Sequence, residues 1–159
     1  MGHATGAPPG FAISHDPARL DLDRISHWLA VESYWAAGRE RDVIERSFAG
    51  SEGVGVYADS TGQQVAVARV VTDGATFAWI CDVFVDTGFR GLGLGTWLVA
   101  ELVENLMVER GILRLLLATR DAHEVYARAG FAPIEGPQRW MEIDHRPTRH
   151  AIKAALTDD

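Results

Sequence analysis

Apolar residues recur along this chain with two periods, and the switches between them mark its elements. Gly53–Asp59 and Gln64–Val71 are rich in β-branched residues at a period near two. Asp59-Ser60-Thr61-Gly62 lies between them with turn chemistry, so the pair predicts an antiparallel hairpin. Thr72–Ala75 is a further tight turn, leading into an alternating strand over Thr76–Val85. Beyond residue 96 the period lengthens, and Trp97–Arg110 predicts a long amphipathic helix. Ahead of the hairpin, Gly10–His15 reads as an edge strand that Pro17 interrupts. Leu20, Leu22, Ile25, Trp28 and Leu29 then recur at helical spacing, with Asp21 or Asp23 placed to favour the helix start. Ser33–Gly38 breaks that pattern, and a second helix follows over roughly Glu40–Phe48, with Val43, Ile44 and Phe48 on one side.

The C-terminal third is read in the same way. Leu113–Ala118 predicts a short buried strand, and Asp121 is placed to cap a short helix that Gly130 ends. Phe131–Ile134 and Arg139–Ile143 are expected to form a last hairpin. Pro147 then separates a small helix, Arg149–Leu156, and an acidic tail. The order β-α-α-β-β-β-α-β-α-β-β gives an α/β chain with a mixed sheet and helices on both faces. The helical crossover requires Phe77–Val85 and Leu113–Ala118 to pair in parallel.

Bulk properties narrow the class. The 159 residues suit one domain, expected over 11–145, between a disordered arm at 1–10 and a helical tail at 146–159. A hydrophobic share of 47% with 23% charged residues is that of an ordinary globular protein. The net charge of −7 argues against nucleic acid as a main partner and mildly favours cationic substrates. A single cysteine, Cys81, excludes a disulfide framework, and the six histidines show no paired metal spacing, so no metal is implied. No apolar run approaches ~20 residues, and the N-terminus lacks a cationic start and apolar core, so the expected compartment is the cytoplasm.

Between the alternating strand and the long helix lies Arg90-Gly91-Leu92-Gly93-Leu94-Gly95-Thr96. Three glycines at every second position remove the Cβ atoms that would hold an anion off the backbone. The helix that follows begins with unpaired N–H groups and a partial positive charge, and Arg90 adds a fixed cation suited to phosphate. No lysine follows the glycines, so this is not a Walker loop. The Gly-x-Gly-x-Gly spacing also departs from the dinucleotide fingerprint.

This glycine turn, after a strand ending in Val85, resembles motif A of the GNAT superfamily of acetyl-CoA-dependent N-acetyltransferases. Val125-Tyr126-Ala127-Arg128-Ala129-Gly130-Phe131 is similar to the tyrosine-bearing helix and Gly-Phe turn that close the family's cofactor site. The resemblance covers roughly residues 11–143. It implies a GNAT-like fold, with a mostly antiparallel sheet in which one parallel strand pair splays apart around the pantetheine arm.

The resemblance also implies a site. Acetyl-CoA would lie along the backbone of Val83, Phe84 and Val85, with its pyrophosphate held by Arg90, Gly91, Leu92, Gly93, Leu94, Gly95 and Thr96. Where the family often carries Asn, this chain has Thr119, and Arg120 beside it is a replacement contact near a phosphate. Tyr126 is the expected general acid: its phenol, with a reference pKa near ~10, can protonate a departing thiolate. Asp82 has two readings. A carboxylate in so apolar a strand is costly to bury unless paired, and Arg69 is a candidate partner. Some family members that acetylate polyamines and related amines carry an acidic residue here, which would orient or deprotonate the acceptor. Tyr34, Trp35 and Trp140 either line the acceptor pocket or pack in the core, and Cys81 reads as a small apolar filler. The expected activity is acetyl transfer to a primary amine of a small molecule by direct attack. A protein or peptide amine, a larger acyl group and a non-catalytic acyl-CoA-binding module are the alternatives, and a homodimer is frequent in the superfamily.

Overall fold

The structure, a computed structural model, describes residues 6–148. The terminal helix expected over Arg149–Leu156 and the first five residues of the expected arm lie outside the described residues. Five strands form one sheet in the order β1-β2-β3-β4-β5: β1 is Phe11–Ser14, β2 Glu52–Ala58, β3 Gln64–Thr72, β4 Ala78–Val85 and β5 Leu115–Leu116. The first three pairings are antiparallel, and β4 with β5 is the one parallel pair, as the crossover helix between them demands.

Helices cover both faces of this sheet. On one side lie α1, Leu22–His27, which runs on as a wider π-turn through Glu32, and α2, Arg41–Ala49. Asp21 starts α1, its carboxylate accepting the Arg24 N–H at 3.0 Å. Ile25, Trp28, Leu29, Ile44 and Phe48 pack there with Val67 and Phe84. On the other side α3, Leu94–Val103, with a π-turn extension to Glu109, buries Trp97, Leu98, Leu102 and Leu106 against Val54, Val56, Ala68 and Ile80. The short α4, His123–Arg128, precedes the Gly130 turn.

One irregularity decides how the site is presented. In a regular strand Ala78, Ile80, Asp82 and Phe84 would share a face. Here Val67 pairs with Phe84 and Arg69 with Cys81, so Ala68 alone opposes Asp82 and Val83. The bulge reverses the alternation. Ile80 points into the α3 cluster while Phe84 points into the α1 cluster, and Val83 and Val85 join the α3 side. Asp82 sits at the kink with φ +50°, a left-handed conformation that Asp tolerates better than most residues.

Three expectations are corrected. The Leu113–Ala118 strand shrinks to two residues, and Leu113 is 84% exposed, because the chain leaves β4 almost as soon as it meets it. Phe131–Ile134 and Arg139–Ile143 form no strands. A short 3-10 turn at Pro137–Arg139 stands between them, and Met141 and Ile143 face outward without a partner strand to bury them. Asp121 does not cap α4: Ala122 occupies that position, and the Ala122 N–H is taken by Thr119 Oγ1 at 3.1 Å.

Candidate active site

The short β5 opens the site. β4 pairs with β5 only at Ala78 and Trp79, so from Ile80 to Val85 that edge has no strand beside it among the described residues. On this side the backbone groups of Val83–Val85, apart from the Val85 carbonyl that Arg90 engages, are available to an extended ligand, as one strand is to another. Asp86 then anchors the exit from β4. It accepts the Gly88 N–H at 2.9 Å and the Trp28 indole N–H at 3.1 Å, which ties the approach to the glycine turn onto α1. This anchor escaped the sequence reading, although an acidic residue directly before a turn is a signal for it.

The glycine turn has the form an anion needs. Gly91 and Gly93 have φ of +80° and +79°, and a Cβ on either would meet open space, so their backbone is bare. Gly93 is the residue before α3, and no side chain caps the helix start. The first N–H groups of α3 are therefore available for phosphate oxygens. Arg90 folds back, its Nε donating to the Val85 carbonyl at 3.1 Å and its guanidinium lying 5.1 Å from the Phe84 ring centre. The donor set fits the pyrophosphate of coenzyme A: bare glycines, uncapped N–H groups and one cation. Leu94, the first residue of α3, is buried in the core, and Leu92 is half exposed on the turn.

Tyr126 stands on α4, with its ring edge-on to Phe131 at 6.0 Å. Burial first, and then the neighbouring Tyr34, Asp121 and Cys81, push its phenol up to about 12. Tyr126 is half-buried, and its hydroxyl takes no part in a hydrogen bond among the described residues. Cys81 in β4 is largely buried, and that burial pushes its thiol up to about 11, against the pull of Arg69 and Arg39. It is a poor nucleophile at neutral pH.

Asp82 is the centre of a buried network. Its Oδ2 accepts from Arg69 Nε at 2.8 Å and Arg39 Nη1 at 3.0 Å, and its Oδ1 from the Trp35 indole at 3.0 Å. Of the two roles expected for Asp82, the arrangement has the features of the paired one. Arg69 was legible as a partner from the sequence. Arg39, 43 residues away in the loop between α1 and α2, was not, since nothing in a sequence announces such a contact.

The same loop brings Tyr34 and Trp35 together, edge-on at 5.0 Å. Tyr34 Oη accepts the Arg120 N–H at 3.1 Å, and the Arg120 guanidinium stacks 3.7 Å from the Tyr34 ring centre. Tyr34, Trp35, Asp82, Cys81, Arg120 and Tyr126 thus gather at the open end of β4. Trp140 stands apart: its ring lies under Arg114, 5.1 Å away, at the entry to β5.

These features coincide with what comparison with known proteins finds. The acetyltransferase (GNAT) family model matches residues 22–131. This chain belongs to the GNAT acetyltransferase family. A crystal structure of a GNAT-family protein from Xanthomonas campestris pv. campestris is 37% identical, with a TM-score of 0.77 over 87% of this chain and 95% of that one. A Gibberella zeae protein named as an acetyltransferase is 28% identical over 74% of this chain and 76% of its own length. An acetyltransferase from Clostridium acetobutylicum solved with acetyl-CoA shares the fold at 18% identity, with a TM-score of 0.63 over 84% of this chain and 94% of that one. The GNAT family uses acetyl-CoA, and among the described residues of this member no helix is long and apolar enough to cross a membrane.

Proposed function

We propose that this GNAT acetyltransferase moves an acetyl group from acetyl-CoA to a primary amine of a small molecule by direct attack, with Tyr126 as the general acid. The observation that carries the reading is the Tyr126 hydroxyl, which makes no hydrogen bond among the described residues and lies near Cys81, on the side of β4 that β5 has left open. Arg90, the bare glycines and the α3 N-terminus hold the pyrophosphate, and the free edge of Val83–Val85 aligns the pantetheine. The acceptor must arrive as a neutral amine. Its nitrogen bonds to the acetyl carbon, the C–S bond breaks, Tyr126 gives its proton to sulfur, and the proton lost from nitrogen restores the phenol through water. With its phenol pushed up to about 12, Tyr126 is protonated at neutral pH, so it carries the proton that passes to sulfur as the thiolate develops.

In this reading Asp82 is a positioning residue. With donors on both oxygens it fixes Trp35 and the loop between α1 and α2, which form one wall of the acceptor opening. Tyr34 forms the adjoining wall, and Arg120 braces it.

The deciding experiment measures free CoA with a thiol reagent while acetyl-CoA is incubated with a panel of amines. Release of CoA dependent on an amine, and lost in Tyr126→Phe, supports the reading. Acetyl-CoA binding with no release for any amine would mark a non-catalytic acyl-CoA-binding module instead.

A further inference from the structure

The Asp82 network is unbalanced in charge. One carboxylate with a 2% exposed side chain faces two guanidiniums, Arg69 and Arg39, that are 14% and 21% exposed. No second carboxylate pairs with either arginine among the described residues. Arg69 spends its other contacts on Ser51 Oγ, at 3.5 Å, and on the Phe48 ring, 5.8 Å away. Arg39 gives Nη1 to Asp82. Its Nε and Nη2 have no partner among the described residues, and the side chain is partly exposed. Those two groups form the flat edge of the guanidinium that matches two oxygens of a carboxylate or phosphate.

The location gives this edge a use. Arg39 shares the loop of Tyr34 and Trp35, and through Asp82 it is joined to Trp35, which lies edge-on to Tyr34. The nearby cation Arg120 has a carboxylate of its own, Asp121 at 3.4 Å, whereas Arg39 shares Asp82 with Arg69, which leaves one positive charge over. A partly buried cation that shares its counterion is unfavourable, and a protein of net charge −7 has no general reason to gather cations here.

We propose that the acceptor is an amine carrying its own oxyanion, a carboxylate or a phosphate, which docks on the free edge of Arg39 while the amine faces Tyr126. This rests on the acetyl-transfer reading above and names its substrate class. It selects amino-acid-like or amino-phosphate acceptors over polyamines, against the leaning of the overall charge.

Matched pairs of acceptors test it on the unaltered protein: α-amino acids against their methyl esters, aminoalkyl phosphates against amino alcohols, and spermidine as the cationic control. The anion-bearing member of at least one pair should have a kcat/KM about tenfold higher, the scale of one charge-assisted hydrogen bond. The arm that responds separates carboxylate from phosphate. Arg39→Gln should abolish most of that preference by raising the acceptor KM, and leave the KM for acetyl-CoA within about twofold, because the Arg39 side chain bonds to Asp82 and to no residue of the glycine turn among the described residues. Equal or better use of the neutral or cationic members would overturn the inference while leaving acetyl transfer intact. Should no amine release CoA, the acetyl-transfer reading fails by itself. Thermal shifts with the same compounds in the presence of CoA then judge the inference: stabilisation by anionic members that disappears in Arg39→Gln supports it, and no difference between members refutes it.

Discussion

The indole N–H of Trp35 donates to Asp82 Oδ1 at 3.0 Å across 47 residues of sequence, so a loop aromatic is fixed by a carboxylate inside the sheet. The other oxygen of Asp82 holds two guanidiniums. Asp82→Ala would leave Arg39 and Arg69 facing each other without a counterion. Removing one partner of such a buried pair costs about 3 kcal/mol, or roughly 6–12 °C in melting temperature for a chain of this size. Trp35→Phe removes one hydrogen bond and should cost about 1 kcal/mol. Calorimetry on both variants checks the ordering, and equal losses would contradict it.

Tyr126→Phe keeps the edge-on contact with Phe131 and removes only the hydroxyl, which bonds to no described residue. Its effect should fall on kcat, by about 10²-fold or more. The KM for acetyl-CoA and the melting temperature should hardly change. A parallel loss of turnover and cofactor affinity would remove Tyr126 from the acid role.

The glycines of the turn separate strain from contact. Gly93→Ala forces a Cβ into φ +79° and should cost about 1 kcal/mol or more of stability. Gly95 lies inside α3, and a Cβ there would sit 3.5 Å from Val85 Cγ2, an ordinary contact. Gly95→Ala should therefore fold as well as the parent, yet raise the KM for acetyl-CoA by crowding the anion. Isothermal titration with CoA measures it, and an unchanged affinity would mean that the backbone at residue 95 is not used.

The pH dependence follows from burial. Because the folded state holds the Tyr126 proton more tightly than a free phenol, its contribution to stability is complete below about pH 10. It is lost as pH rises through about 12. Activity should climb with deprotonation of the amine and show no alkaline limb from Tyr126 below pH 10; a rate profile falling between pH 8 and 9 in step with a phenol titration would contradict this. Cys81, pushed up to about 11, should react with iodoacetamide far more slowly than free cysteine at pH 7.5. Mass spectrometry of a timed alkylation reads that directly.

How much of this was legible beforehand differs by element. The hairpin, the strand into Val85 and the helix after Thr96 repeat one period over seven or more residues, so sequence alone places the strand ends within two residues and the helix start within three. The glycine turn was legible because its chemistry is local. Leu113–Ala118 was not, since an apolar run shows that residues are apolar but not whether a neighbouring strand stays beside them. The bulge at Asp82 was hidden as well. It places a non-glycine residue at positive φ and reverses the faces of one strand, which a pattern of alternating residues cannot reveal. The contacts of Arg39 with Asp82 and of Arg120 with Tyr34 join loops far apart in sequence, and only folding brings them together.

The early departure of β5 has a consequence for the empty protein. Among the described residues no strand covers residues 80–85 on that edge, and the alternate amides that point there can pair with another extended chain, a known route to clumping. On the reading proposed above, acetyl-CoA doubles as a chaperoning splint. Cells rich in the thioester would hold the protein dispersed, and hydrogen exchange at Val83–Val85 would slow each time the slot is filled.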